Sequence, residues 1–230
     1  IWSYSIYLIQ FYSSLMKFTL AESVTRELFP KNKWLIGYIL LFCMLWVSTF
    51  IGTSDYNNWW IENTLTILSL LFLSLTYKKY VFSDLSYLFI FIFFCLHVYG
   101  SKYTYAENPL GYWLQDIFNT ERNHYDRIVH FGFGFLLTYP LQELFRHWLK
   151  LPKTISWMLP IELSISIGAL YEIIEWAVAD IFFKAQGHAY LGTQGDVWDA
   201  QKDMFLAFVG AILATTCISL IKKLTGSKNE

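Results

Sequence analysis

Three short stretches of this chain carry residues able to do chemistry inside otherwise apolar sequence. The first is Leu191-Gly192-Thr193-Gln194-Gly195-Asp196-Val197-Trp198-Asp199-Ala200-Gln201-Lys202-Asp203-Met204. Asp196, Asp199 and Asp203 are spaced three and four apart, so a helix starting by Asp196 aligns them in one stripe. Gly192 and Gly195 flank Thr193 and Gln194 ahead of that helix. Exposed backbone N–H groups in such a turn can hold an anion such as a phosphate. Helix capping by one or two of the aspartates is the ordinary alternative.

The second stretch contains Arg122, His124, Asp126, Arg127 and His130. Asp126 and His130 are one helical turn apart on one face, where a carboxylate and an imidazole can share a metal. Alternatively the carboxylate orients the imidazole as a base, or the pair is a helix cap and a packed core histidine. The third stretch holds Glu172 and Glu175, also on one face and about two to three turns inside an apolar segment. Carboxylates have no long stem with which to reach water, so at that depth they need cations, protons or hydrogen-bond donors. A network with Arg122, Arg127 and nearby tyrosines would also satisfy them.

Together Glu172, Glu175, Asp196, Asp199 and Asp203 form a candidate metal-ligand set, with Asp126 and His130 as candidate catalytic residues. Arg122, Arg127, Gly192 and Gly195 are candidates for binding an anionic substrate, and Lys202 adds a local positive charge. Oxygen donors with a single deep histidine suit a divalent Mg, Mn or Ca ion, or a mixed Zn or Fe site.

The elements that must position these residues are membrane helices. The chain has 230 residues, 55% of them hydrophobic and 20% aromatic, with a mean hydropathy of +0.37. That apolarity arrives in six blocks, near 34–52, 61–77, 85–100, 127–145, 157–182 and 203–221. Each is long enough, or nearly so, to cross ~30 Å of hydrocarbon at ~1.5 Å per residue. The expected fold is an all-α, polytopic membrane helical bundle of about six transmembrane helices.

Lys and Arg set its orientation, because they accumulate in short cytoplasmic loops. Lys17, Arg26, Lys31, Lys33, Lys78, Lys79, Arg146, Lys150, Lys153, Lys222, Lys223 and Lys228 fall on one side. Only Lys102, Arg122, Arg127, Lys184 and Lys202 fall on the other. Both termini are therefore expected to be cytoplasmic. All three polar sets then lie toward the outer face, where a shared cavity is the simplest arrangement.

Residues 1–33 read as a leader, with an interfacial helix or a further span as alternatives. Taking Met16 as the start would make residues 1–15 extraneous. Residues 34–221 form the membrane domain and 222–230 a basic tail. Cys43, Cys95 and Cys217 all lie in apolar blocks, where thiols act as small hydrophobes. A net charge of −1 offers nothing to nucleic acid.

Four segments in order also resemble a known family: 103–111 (Tyr-Thr-Tyr-Ala-Glu-Asn-Pro-Leu-Gly), 122–127 (Arg-Asn-His-Tyr-Asp-Arg), 171–176 (Tyr-Glu-Ile-Ile-Glu-Trp) and 191–199. They are similar to the bacterial inner-membrane proteins typified by YjdF, over about residues 30–221. The resemblance implies a multi-pass protein of the bacterial inner (cytoplasmic) membrane with the same span count, and brings no activity with it.

Three functions fit these residues. A metal-dependent hydrolase or transferase would act on a membrane lipid or lipid-linked phosphate at the outer interface, using the bound cation to activate water. A cation- or proton-coupled transporter would use the same carboxylates as ligands, although the broken helices and inverted repeats common in transporters are not evident. A structural protein would use them to lock its helices together.

Overall fold

The computed structural model describes residues 29, 31–53, 55–182 and 193–224. Among them are seven helices and no strand: α1 (Lys33–Ile51), α2 (Tyr56–Thr76), α3 (Asp84–Lys102), α4 (Pro109–Phe118), α5 (Tyr125–Glu143), α6 (Lys153–Ala177) and α7 (Asp199–Leu224). A π-helical turn, Leu144–Trp148, prolongs α5, and another, Val178–Phe182, prolongs α6. The six-block pattern is thus realised as six long helices. The second begins five residues earlier than its apolar block, and the last four residues earlier. The seventh helix, α4, is short and stands outside that pattern.

Side-chain caps start most of the helices. Asn32 accepts the Leu35 N–H at 2.8 Å while its amide donates to Asp84 at 2.6 Å, so one residue fixes the starts of both α1 and α3. Asp55 caps α2 and Ser83 caps α3. Asn108 caps α4, where Pro109 occupies the first turn at no hydrogen-bond cost. Glu143 accepts from the Ser83 N–H at 2.9 Å and the Ser83 hydroxyl at 2.7 Å, and also from the Ser86 hydroxyl, pinning the end of α5 to the start of α3.

Five helices, α1, α2, α3, α6 with its extension, and α7, are long and apolar enough to cross a bilayer. α5 is less apolar because it carries Asp126, Arg127, His130, Gln142 and Glu143. It is also the most enclosed, packed between α3, α6 and α7. Polar groups are tolerated there because neighbouring helices, rather than lipid, surround them. Its closest partner is α7: Gly134 sits against the Ala207 carbonyl and Gly210 against the Phe131 carbonyl, the close small-residue packing that membrane helices rely on. Outward positions such as Leu40, Met44, Leu68, Phe72, Ile173 and Leu213 are exposed and apolar, as a lipid-facing surface requires.

Connections identify the two ends of the bundle. Asn32–Asp84 and Ser83–Glu143 join helices at one face. At the other, the Thr53 hydroxyl donates to the Lys102 carbonyl at 3.3 Å and Arg122 to the Thr193 carbonyl at 2.6 Å. Six alternating crossings bring Leu224 back to the face from which Lys33 starts. The starts of α5 and α7 and the end of α6 meet at the opposite face, called the polar face below. Of the sequence expectations, residues 1–28, Gly192 and 225–230 lie outside the described residues.

Candidate functional site

A clasp between two loops builds the polar face. Gln194, in the left-handed conformation at φ 48°, and Gly195 at φ 83° turn the chain just before α7. The Gln194 side chain accepts the Asn123 N–H at 2.8 Å and returns a hydrogen bond to the Asn123 carbonyl at 3.2 Å. The Asn123 side chain in turn accepts the Tyr125 N–H and donates to the Asn108 carbonyl at 2.9 Å. Gly111 is required beside it, since a Cβ there would overlap the Asn123 amide. The start of α5 is therefore held by residues of the α4 and α7 entries together.

Ion pairs then tie α5 to α7. Arg122 lies 2.5 Å from Asp199 and 3.6 Å from Asp126. Arg127 lies 2.9 Å from Asp196, 3.0 Å from Asp199 and 3.8 Å from Asp203. Lys202 adds a 2.7 Å contact to Asp196. Its hydrogen bond, with further ones from the Trp198 N–H and Arg127, brings the Asp196 carboxyl down to about 2. The two arginines expected to face an anionic substrate thus direct their guanidinium groups at Asp196, Asp199 and Asp203. Gly195 is exposed, with open space where a side chain would be.

One turn deeper the donors are less well satisfied. His130 Nε2 is 3.5 Å from Asp126 Oδ1 and 3.6 Å from Glu172 Oε1, both too long for good hydrogen bonds. Asp126, His130 and Asp203 each present one ligand atom, all within 4.8 Å of one another. Asp203 Oδ1 and Glu172 Oε1 are buried and accept no hydrogen bond. Donors bound at ~2.0–2.2 Å to one tetrahedral ion lie about 3.4 Å apart, close to the His130–Asp126 and His130–Glu172 spacings and tighter than the 4.8 Å within which the set with Asp203 lies. The donor chemistry and the orphaned oxygens therefore fit a divalent cation. Glu175 is beside Glu172 and Tyr171, and two carboxylates in contact need a proton or a cation between them.

The structure brings Asp126, Arg122, Arg127, His130, Glu172, Glu175, Asp196, Asp199 and Asp203 into one region. It also adds Glu62 and Tyr105, which the sequence did not single out, and sets them beside His97, which the third apolar block was expected to turn toward the cavity. Glu62 on α2 is buried, accepts the Tyr171 hydroxyl at 3.2 Å, and presents its carbonyl to His97 Nε2 at 3.2 Å. His97 Nδ1 meets the Tyr105 hydroxyl at 2.5 Å. Tyr105 and Thr104 have φ of 52° and 54°, a costly backbone conformation that aims the Tyr105 ring across Gly100. Burial raises the Tyr105 hydroxyl well above its usual value, so it remains a donor. The available signal was the polar stripe Asn58, Glu62, Asn63 and Thr66 on α2, helically spaced and therefore turned together away from lipid.

A cavity of about 490 Å³ opens beneath these groups. Asp126, His130, His97, Tyr105 and Tyr171 stand at its polar end. Farther along α5 its wall is Phe133, Leu137, Leu141 and Leu144. The arrangement is a polar cluster able to hold a cation and move a proton, seated above an apolar pocket.

A family model described as "Predicted membrane protein (DUF2238)" matches residues 34–223, which include nearly all the described helices. "Inner membrane protein YjdF" of Escherichia coli (strain K12) is 33% identical over 186 residues, covering 80% of this chain and 87% of that protein. The relative's name states a location and no reaction. No solved structure matches the chain. Relative and helices together place the chain among multi-pass inner-membrane proteins.

Proposed function

We propose, from the premise that this chain belongs to the DUF2238 membrane-protein family, that it is a cation-dependent membrane hydrolase or transferase acting on a lipid or lipid-linked phosphate. The observation that carries this reading is the convergence of Asp203 on Asp126 and His130, the two of these three that line the cavity, with acceptor oxygens of Asp203 and Glu172 unused. The distribution of Lys and Arg turns this face outward.

In this scheme Asp203, Asp126 and His130 hold the cation, and Glu172 lies within reach as a further ligand or as base. A divalent cation held there would supply a water of lowered pKa and charge for a phosphoryl oxygen. Asp126 bridges two tasks, since Arg122 is 3.6 Å away on one side and His130 3.5 Å on the other. Arg122 and Arg127 hold α7 against α5 and keep Asp203 in place. Apolar walls below His130 exclude water from the reacting end. Beyond the polar end the lining offers an ion only the hydroxyls of Thr66 and Ser69, too few to carry it onward, which weighs against ion transport as the site's task.

The test is elemental analysis of the purified protein alongside assays of phosphate release from lipid phosphates in mixed micelles. Wild type should retain close to one divalent ion per chain, and Asp203→Asn and His130→Ala should lose both ion and activity. A wild-type protein that takes up none of Zn²⁺, Mn²⁺ or Mg²⁺ would sink the proposal.

A further inference from the structure

We infer that one hydrocarbon chain of a membrane lipid enters the cavity sideways, between α2 and α6, and lies along α5 with its polar end at Asp126 and His130. The inference deepens the proposed function and rests on it only for what happens to the lipid's head.

α2 is held from one side. It packs mainly on α3, whereas α5 and α6 pack on each other and on α7. Near the polar face the Tyr171 hydroxyl donates to Glu62 at 3.2 Å, joining α6 to α2. Below that bond the two helices leave a gap. The cavity occupies it, with Leu65, Leu68 and Phe72 on the α2 side and Ile167 on the α6 side. These rim residues are 45%, 56%, 60% and 39% exposed, so the opening faces the bilayer core rather than either aqueous side.

Its dimensions and chemistry favour a chain. The lining follows α5 from Asp126 to Leu144, about 27 Å at ~1.5 Å per residue, nearly the thickness of the hydrocarbon layer. A volume of about 490 Å³ lies in the ~300–1,000 Å³ range of small-ligand sites. Beyond His130 the walls are apolar apart from the hydroxyls of Thr66 and Ser69, so water gains few partners there, and an empty space of this size forfeits packing along most of its lining. Lipid chains are the apolar molecules present at the opening. The polar end, by contrast, supplies His97, Tyr105, Tyr171, Asp126 and His130, which suits a head group that stays at the interface.

The test uses the full chain in vesicles of phosphatidylethanolamine and phosphatidylglycerol, with a trace of phosphatidylglycerol bearing a diazirine midway along one acyl chain. After photolysis, label is expected on the interior residues Phe93, Phe94 and Leu137, as well as on outward Leu213, which any surrounding lipid reaches. Ser69→Trp fills the gap from α2. Ile167→Trp fills it from α6, where Ile167 already lines the cavity at its rim. Each should lower interior label several-fold and leave Leu213 label unchanged, with a cooperative thermal unfolding transition like that of the wild type reporting that the variant has folded. Label confined to Leu213-type positions, or interior label that neither plug reduces, would overturn the inference. Asp203→Asn separates the two ideas: interior label that persists while the ion is lost supports chain entry independently of the cation. Ion binding without interior label leaves the enzyme reading standing and removes this one.

Discussion

The Arg122 guanidinium approaches the Asp199 carboxylate to 2.5 Å and bonds the loop before α5 to the first turn of α7. Both side chains are about one-tenth exposed, at 11% and 9%. Removing Arg122 leaves Asp199 with Arg127 at 3.0 Å as its remaining cation, so the loss falls below the ~3–5 kcal/mol of a buried charge left wholly uncompensated. Arg122→Ala should therefore lower the stability of the detergent-solubilised protein by about 1–3 kcal/mol. Adding Asp199→Asn should cost less in that background than in the wild type, because the carboxylate has already lost one partner. Thermal unfolding of both single variants and the double variant measures the coupling, and a double-variant loss equal to the sum of the single losses would show that the pair is not coupled.

Asp199 and Asp203 lie one turn apart on α7 yet face different partners. Asp199 meets both arginines, whereas Asp203 reaches one of them, Arg127, at 3.8 Å, touches the Asp199 carboxyl, and keeps one oxygen without a hydrogen bond. Stability and cation binding should separate accordingly. Asp199→Asn is expected to lower the unfolding temperature and retain most of the ion. Asp203→Asn is expected to lose the ion, with the smaller effect on unfolding measured after chelation. Calorimetric titration with Zn²⁺ and Mn²⁺ on both variants checks the contrast, and a reversed order would refute this division of roles.

The glycines of α5 make a prediction about packing alone. A Cβ at Gly134 would overlap the Ala207 carbonyl, a backbone atom that cannot step aside, whereas at Gly132 it would meet a flexible Leu96 methyl at 3.2 Å. At Gly37 on α1 nothing lies within 4 Å. Gly134→Ala should force α5 and α7 apart and cost about 3 kcal/mol or more, at the upper end for overpacking. Gly132→Ala should cost under about 1 kcal/mol, and Gly37→Ala should be neutral or slightly stabilising, since alanine is the better helix former. Unfolding temperatures of the three variants should follow that order.

These relationships differ in how readable they were from sequence. The six long helices follow directly from the apolar blocks, and even α5 was recognisable despite Asp126, Arg127 and Glu143. The gathering of Asp126, His130, Glu172 and the α7 aspartates followed from charge asymmetry and helical spacing. Glu62 was hidden because it lies near the start of α2, where polar residues usually mean an interface. Here Asn58, Glu62 and Asn63 turn inward, and the Asn63 amide donates to the Ser101 hydroxyl at 2.9 Å. α4 was hidden by its ten-residue length and by Gly111, a glycine demanded by Asn123 rather than by local preference. Which carboxylates spend themselves on arginine and which remain open is a matter of ångströms between helices, and helical spacing alone does not carry it.

Asp196 provides a pH-dependent test of the clasp outside the membrane. Its folded value of about 2 lies below the usual ~3.9 for aspartate, chiefly because Lys202 hydrogen-bonds to it at 2.7 Å, with the Trp198 N–H and Arg127 assisting. A group depressed on folding contributes stability that is fully present above its unfolded value and disappears as pH falls through its folded value. The difference in unfolding temperature between wild type and Asp196→Asn should therefore stay constant from about pH 8 to about pH 5 and shrink from about pH 4 toward about pH 2. Lys202 is half exposed, at 49%, so its share of the effect should also weaken with salt as the screening length falls from ~10 Å at 0.1 M to ~3 Å at 1 M. The Arg127 contact is more sheltered, at 16%, and should persist. Lys202→Met should thus remove most of the salt dependence and much of the acid limb, leaving the smaller part that the Trp198 N–H and Arg127 sustain. A difference that widened on acidification would mean that the carboxylate is not stabilised in its charged form, and that the contacts around Asp196 do not hold the entry of α7.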